Sequence, residues 1–426
     1  MRIPIDQYRL DNGLRVILSE DHRQPVVGVN LWYNVGSRNE RPGRTGFAHL
    51  FEHMMFQGSE NVPDTEHIAH VERVGGSMNG STWLDRTNYF ETMPASRLEL
   101  ALWLESDRMG FLLPAMTQEK LDNQRSVVQN ERRWRVDNQP YGDWDERIQA
   151  LLYPPDHPYH HSVIGSMEDL DAATLEDVSA FFRTYYAPNN AVLTICGDFD
   201  PVAARSLVER YFGSIPRGPD VPPVPGRTEL PPRLGQEVRE VIESDAALAR
   251  VYLAFRMPAY GRQGFFPGDV AAHVLASGKS SRLYRSLVRE QRLAQSVVAF
   301  AFPIVTGAAM LVLWATANPG VDAERLERAI WDEIEVLGAG ASPEEVERAV
   351  NGIESRQTVA LQQVGERADQ LSMFATLFDD PERINTELDE YRAVTAEGVS
   401  RFAVEYLRRD NVVSLIYLPR ARSEAA

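Results

Sequence analysis

An internal repeat is the feature that most constrains the fold of this chain. Residues 174–181 resemble residues 395–402, an offset of 221 positions (395 − 174). The same offset aligns four further identical pairs, which are Tyr185 with Tyr406, Asn190 with Asn411, Val192 with Val413, and Ile195 with Ile416. In each copy the pattern predicts a helix capped by Thr, followed by a strand. The sequence therefore predicts a duplicated structural unit.

A proline-rich segment separates the two copies. Residues 216–235 contain seven prolines, which disfavour both helix interiors and central strands and predict an extended linker. A chain of 426 residues is also too long for one compact core. We therefore predict an N-terminal domain over 1–215, a linker over 216–235 and a C-terminal domain over 236–426.

Strand and helix patterns are mixed in both halves. The first half predicts a hairpin over 8–19, a strand over 26–33 and helices over 46–57, 64–74, 95–110 and 118–136. The second half predicts strands over 250–256, 296–302 and 310–318, with helices over 267–276, 281–290, 323–337 and 343–373. Because the order does not follow strict βαβ alternation, the predicted class is α+β, with helices packed on antiparallel-rich sheets in two similar domains.

Composition excludes several classes of function. The chain has 44 Lys and Arg against 61 Asp and Glu, and this net charge of −17 opposes nucleic acids and anionic membranes. The longest apolar run, residues 310–317, is far shorter than the ~20 residues that cross a bilayer. No secretory signal is recognisable at the N-terminus, so we expect a cytoplasmic protein, or a periplasmic one if a signal peptide has been removed. Cys196, the single cysteine, is predicted to be a buried strand thiol.

A metal-binding pattern lies on the first predicted helix. Residues 49–53 read His-Leu-Phe-Glu-His, the inverted form of the zincin motif. Residues four apart share one helix face, so His49 and His53 can reach the same cation, and Glu52 lies beside them where it can accept a proton from water. The alternative is two ordinary histidines on an amphipathic helix, with Glu52 in solvent.

A catalytic zinc site needs a third protein ligand. Glu131 lies on a predicted helix that ends before Pro140, although helical spacing alone favours a solvated surface carboxylate. The pair His160 and His161 follows several prolines, which favours a structural loop over a metal site.

Four motifs, in order along the chain, resemble the M16 metallopeptidases, the family of pitrilysin and the mitochondrial processing peptidase. They are FAHLFEHMMFQG at 47–58, GGSMNGST at 75–82, VVQNE at 127–131 and HPYHHSVIG at 157–165, and the resemblance covers essentially the whole chain. It implies half of a clamshell built from two similar α+β domains. It also implies Zn²⁺ bound by His49, His53 and Glu131, with Glu52 as general base.

The resemblance further implies how substrate binds. The strand that contains Asn79, Gly80, Ser81 and Thr82 would receive the substrate backbone as an added strand. From the residues alone, Asn79 and Gly80 predict a turn or a bulge instead.

Two departures from the family pattern matter. Many members carry a Glu seven residues before the third ligand, where this chain has Gln124; since that Glu is not a ligand, zinc binding should survive. Active members also use an Arg and, seven residues later, a Tyr from the opposing half. Here Arg289 is present, but the Tyr position falls on Gln295 or Ser296 with one residue deleted. The second half should therefore not complete an active site.

These observations predict a zinc-dependent endopeptidase subunit that hydrolyses short or unfolded peptides, with a preference for basic ones. A homologous partner would supply the Arg/Tyr pair in a heterodimer. Two alternatives stay open, a non-catalytic structural subunit of the same fold and a self-sufficient homodimeric peptidase. The presence of His49, Glu52, His53 and Glu131 together favours an enzyme.

Overall fold

The computed structural model describes residues 2–420 and groups them into two compact units. The first unit contains residues 2–132, 161–225 and 357–387, and the second contains 133–160, 226–356 and 388–420. Each unit combines its own β-sheet with packed helices, which confirms the predicted α+β class. The boundaries at 1–215, 216–235 and 236–426 stay a prediction.

The sheet of the first unit has six strands within residues 2–420, in the order β1-β2-β6-β3-β5-β4. Only the pairing of β2 with β6 is parallel, and β4 forms one edge. Strands β2, β3 and β6 are buried over almost their whole length, which explains their continuous apolar sequences. The strands are β1 (Asp6–Arg9), β2 (Arg15–Glu20), β3 (Val26–Tyr33), β4 (Ser77–Thr82), β5 (Thr87–Pro94) and β6 (Ala191–Gly197).

The second unit repeats this arrangement on a smaller scale. Its sheet has the order β7-β11-β8-β10-β9 among the described residues, again with one parallel pair, β7 with β11. Thr174 and Thr395 both cap helices that precede a central strand, as the repeat predicted. The strands are β7 (Glu237–Ser244), β8 (Arg250–Pro258), β9 (Ala294–Phe302), β10 (Ala308–Ala317) and β11 (Val412–Pro419).

The described residues form helices in both units, and helices cover both faces of the first sheet. The helices are α1 (Phe47–Met54), α2 (Glu66–Arg73), α3 (Leu98–Phe111), α4 (Gln118–Arg132), α5 (Trp144–Leu152), α6 (Met167–Asp171), α7 (Leu175–Tyr185), α8 (Pro201–Phe212), α9 (Phe265–Ala276), α10 (Ala323–Ala339), α11 (Pro343–Ala360), α12 (Val364–Phe378), α13 (Arg383–Arg392) and α14 (Ala396–Tyr406). Helix α1 packs on β4 and β5, whereas α12 packs on β3 and β6. A Cβ atom on Gly28 of β3 would lie 3.0 Å from the backbone of Gly365, so these glycines permit the close approach of α12.

The predicted helix over 343–373 is wrong in one respect. The structure divides it into α11 and α12, with a turn at 361–363 and an extended Gln363 at the start of α12. No proline marks this break, and it places α12 against the sheet of the first unit. The prediction for Cys196 is confirmed, because this free thiol is buried in β6 and burial raises its pKa to about 12.

A group of buried charges lies in the core of the first unit. Arg108 of α3 contacts the carboxylate of Glu105, lies 3.8 Å from Glu91 and stacks 4.2 Å from the ring centre of Tyr89. Burial and the neighbouring Glu105 raise the pKa of Glu91 well above its usual range. Burial and the charge of Arg108 lower the pKa of His67 well below its usual range. Of the two carboxylates, Glu105 makes the closer ion pair with Arg108.

We predict that Arg108→Met lowers the free energy of unfolding of the first unit by about 3–5 kcal/mol, because it leaves a buried carboxylate without its cation. Urea titration measures this change. The exposed pair Arg210–Glu99, at 3.0 Å, provides the control, and Arg210→Met should change stability by less than about 1 kcal/mol. Equal unfolding midpoints for the two variants at neutral pH would show that the buried pair of Arg108 and Glu105 does not stabilise the first unit more than the exposed pair does.

Candidate metal centre

Helix α1 is held at its N-terminus by a buried carboxylate. Glu40 accepts hydrogen bonds from the backbone N–H groups of Gly46, at 2.9 Å, and Ala48, at 2.7 Å. His161 Nε2 lies 2.9 Å from the same carboxylate. Gly46 precedes the helix with a φ of +84°, and a Cβ atom there would lie 2.6 Å from the carbonyl oxygen of Ile164. These contacts set the position and direction of the helix that carries the motif.

The structure brings His49, His53 and Glu131 together. One ligand atom from each lies within 4.8 Å of the others. Glu131 Oε2 is 3.2 Å from His53 Nε2 and 3.7 Å from His49 Nε2, and the two imidazole centres are 4.9 Å apart. Glu131 lies near the end of α4, which packs against α1. Tertiary packing therefore joins a carboxylate to the histidine pair.

This donor set fits a zinc ion. Two imidazole nitrogens and one carboxylate oxygen form a combination that catalytic zinc uses, with a coordination position left for water. All three side chains are partly exposed, so water and substrate can reach them. The donors are also the types that zinc, as a borderline cation, prefers over the all-oxygen sites of magnesium or calcium.

Glu52 lies on the same helix but outside this group of three. The hydroxyl of Thr82, at the end of β4, lies near its carboxylate. Burial raises the pKa of Glu52, while the neighbouring Thr82, His53 and Arg86 oppose this shift. A partly buried carboxylate with a raised pKa beside this candidate metal site suits proton transfer.

The segment proposed to bind substrate is an edge strand. β4 pairs with β5 in a regular antiparallel register, so the turn or bulge suggested by the local sequence is wrong. The N–H of Gly80 donates to Asn79 Oδ1, at 2.9 Å. A Cβ atom on Gly80 would lie 3.1 Å from the rings of Phe56 and Tyr89, which explains glycine at this position. Ser81 and Thr82 complete the strand beside Glu52.

The remaining candidates lie elsewhere in their units. His160 Nδ1 is 2.8 Å from the carbonyl oxygen of Tyr153, and neither His160 nor His161 belongs to the group of three. Arg289 is exposed, with its guanidinium 5.7 Å from the ring centre of Tyr284. Gln295, at the predicted Tyr position, is exposed near the start of β9.

Sequence reasoning missed two features of this unit. Glu40, which holds α1, is six residues before Gly46 and carries no recognisable motif. A second set of ligand types, His67, Glu91 and Glu105, also lies within 4.8 Å, fully buried. We assign no metal there, because the guanidinium of Arg108 already contacts Glu105 and balances its charge. These residues come from three separate elements, so no sequence spacing reveals them.

Within residues 2–420, no helix is both long and apolar enough to cross a membrane.

Two family models and a curated relative match this chain. Residues 15–150 match the family model described as Insulinase (Peptidase family M16), and residues 172–353 match Peptidase M16 inactive domain. Zinc protease PqqE from Helicobacter pylori is 33% identical over 333 residues, which are 78% of this chain and 74% of that protein. The match to Peptidase M16 inactive domain ends at residue 353, before α12 begins. The two family models therefore leave part of each half of the chain unmatched.

Solved structures show the same fold. The crystal structure of a protease from Helicobacter pylori superposes with a TM-score of 0.92 at 28% identity, covering 98% of this chain and 100% of that one. The periplasmic protease PqqL from Escherichia coli shares the fold, with a TM-score of 0.77 at 19% identity, and this chain covers 50% of its length. Since both domain models match in order and a zinc protease is one-third identical over most of the chain, the protein belongs to peptidase family M16.

Proposed function

We propose that this chain is the zinc-bearing subunit of an endopeptidase. The observation that carries the proposal is the convergence of His49, His53 and Glu131, with Glu52 beside them on α1. Relatives named zinc proteases support this choice of metal.

In this proposal His49, His53 and Glu131 hold Zn²⁺. When bound, zinc supplies a Lewis acid for the scissile carbonyl and makes water at the site more acidic. Glu52 accepts the proton of the attacking water and delivers it to the nitrogen of the leaving amine. Thr82 lies beside the Glu52 carboxylate, where its hydroxyl can donate a hydrogen bond to it.

The substrate is a peptide that adds to the free edge of β4. Main-chain hydrogen bonds along residues 77–82 would hold an extended segment regardless of its sequence. The end of this strand lies beside Glu52, since Thr82 contacts its carboxylate. A net charge of −17 favours basic peptides, and an extended segment must come from a short or unfolded chain.

A homologous partner completes the active site. Arg289 lacks the Tyr that accompanies it in active members of the family, and Gln295 has no phenol. This chain covers half of PqqL, which supports an assembly of two such chains. A heterodimer is the proposed form, and a homodimer is the alternative. The compartment stays a prediction.

We predict that Glu131→Gln loses zinc. The amide is neutral and is a much weaker ligand than the carboxylate, so metal content should fall from one zinc per chain to well below one. Atomic absorption after dialysis measures this ratio. Glu119→Gln removes an exposed carboxylate from the same helix and should keep one zinc per chain. Equal zinc content in both variants would remove Glu131 from the ligand set.

We predict that Glu52→Gln keeps zinc but loses peptidase activity by about 10²- to 10⁴-fold, because the amide cannot accept the proton. Activity is measured on unstructured peptides, and zinc in the same samples. Glu119→Gln again serves as the control. Near-normal turnover by the zinc-loaded Glu52→Gln protein would exclude Glu52 as the general base.

We predict that the isolated, zinc-loaded chain cleaves peptides poorly and that a homologous chain with an intact Arg/Tyr pair restores activity. Loss of one donor to the developing oxyanion typically costs about 10²- to 10³-fold. The matched control is the same partner with its Tyr replaced by Phe, which should not restore activity. Inserting Gly before Leu293 together with Gln295→Tyr should give a weakly active homodimer. Full activity of the wild-type chain alone would establish the homodimeric alternative.

A further inference from the structure

We propose that a cavity on the α12 side of the first sheet, with two carboxylates in its lining, binds basic side chains from alternate positions of the peptide. The inference rests on the proposed function, because it requires a peptide strand on the edge of β4. It adds a binding site for lysine or arginine side chains on the sheet face opposite the candidate metal centre.

The register of the strands separates the two faces. Thr82 and Gly80 of β4 face α1, because Thr82 Oγ1 lies 3.5 Å from the carbonyl oxygen of Ala48 in α1 and a Cβ atom on Gly80 would lie 3.1 Å from the ring of Phe56. Strand side chains alternate, so Ser77, Asn79 and Ser81 face the other way. Cross-strand pairing agrees with this assignment, since their β5 partners are Thr92, Phe90 and Asn88, and Asn88 bonds to Asp369 of α12.

A cavity of about 890 Å³ lies on this second face. Its walls include Ser77, Asn79 and Ser81 of the edge strand, and Glu366 and Asp369 of α12. The volume is within the range of ligand pockets. Because residues of β4 itself form one wall, the cavity lies directly beside the edge where the peptide would add.

The cavity offers an oriented negative charge. Asp369 Oδ1 accepts hydrogen bonds from Trp32 Nε1, at 2.7 Å, from Asn88 Nδ2, at 2.9 Å, and from Asn30 Nδ2, at 3.3 Å. Its second oxygen, Oδ2, receives no hydrogen bond from the residues described. The carboxylate is therefore held in one orientation while an acceptor remains for a ligand.

The other charged groups of the cavity leave a negative excess. Glu366 is exposed on the wall formed by α12. Arg86 also lines the cavity, but its guanidinium donates to the carbonyl oxygen of Ser81 and to Asn88 Oδ1, both at 2.9 Å. Two carboxylates thus face one guanidinium that is already engaged. Val359, 57% exposed at the wall, offers an apolar surface for the aliphatic stem of a lysine or arginine.

A peptide strand on β4 would alternate its side chains between the two faces. Every second residue would point toward α12 and reach this cavity, while the intervening residues would point toward α1 and the candidate metal centre. The preference for basic residues should therefore recur with a period of two along the peptide. A diffuse attraction from the net charge would show no such period.

The test measures binding separately from cleavage. Fluorescence anisotropy gives the affinity of the zinc-loaded Glu52→Gln protein for extended peptides in which one position at a time is Lys, norleucine or Glu. At alternate positions, we expect peptides with Lys to bind about tenfold more tightly than peptides with norleucine, and peptides with Glu to bind more weakly than both. At the intervening positions, the three peptides should bind with similar affinity. Norleucine matches the lysine stem without its charge.

Two variants in the same background assign the preference to the cavity. Glu366→Gln alone, at an exposed position, should reduce the lysine preference, and Glu366→Gln with Asp369→Asn should abolish it. The asparagine retains the oxygen that accepts the three existing hydrogen bonds. The control is Glu72→Gln with Asp332→Asn, which removes the same charge at exposed positions outside the cavity and should leave the preference unchanged.

The outcomes distinguish this inference from the proposed function. Cleavage of neutral peptides by the wild-type protein and its partner, with no periodic lysine preference, would overturn the cavity proposal and leave the peptidase intact. Loss of the preference in the control variant would also overturn it. A periodic preference for lysine that the double cavity variant abolishes would support the cavity site. If the wild-type protein and its partner cleaved no peptide in that case, the proposed peptidase function would fail while the cavity site would stand.

Discussion

The pairing of β4 with β5 is the constraint on which both faces of the first sheet depend. In the observed register, Thr82 lies beside Glu52 and Asn79 lies on the side of α12. A shift by one residue would exchange these faces, because strand side chains alternate. The same pairing leaves β4 with a free edge among the described residues. The proposed position for a peptide, the proposed base beside it and the cavity on the other face thus all depend on one strand register.

Buried polar contacts keep the surrounding elements in place. Glu40 holds the first backbone N–H groups of α1, and Arg108 joins α3 to the rings beneath β4 and β5. Burying such groups costs free energy unless each is paired, so their contacts admit few alternative arrangements. We infer that this rigidity supports the candidate metal centre, since proposed ligands from α1 and α4 must meet within a few ångströms.

Different residues of the site were predictable to different degrees. His49, Glu52 and His53 lie within one helical turn, and helix geometry alone places them together. Glu131 is 78 residues beyond His53, and spacing alone favoured a surface position; only the family resemblance selected it. Glu40 and Asp369 carried no signal, because an isolated carboxylate in a polar segment looks the same whether it stabilises a helix, lines a cavity or faces solvent. The division of residues 343–373 into two helices was missed for a related reason, since no proline marks the break and both parts are helical.

The sequence by itself determined the α+β class, the duplication with its capped helices, the buried Cys196 and the helical face that carries the two histidines. These features depend on local periodicity and on capping chemistry, which residues close together in the sequence determine directly. Local patterns did not indicate which carboxylate joins the histidines or that β4 is a strand, and only the family resemblance implied both. Tertiary structure alone decided that α12 returns to the first sheet and forms a cavity beside its edge. These outcomes depend on packing between segments up to about 300 residues apart, and such contacts follow from the shape of the whole core rather than from any local pattern.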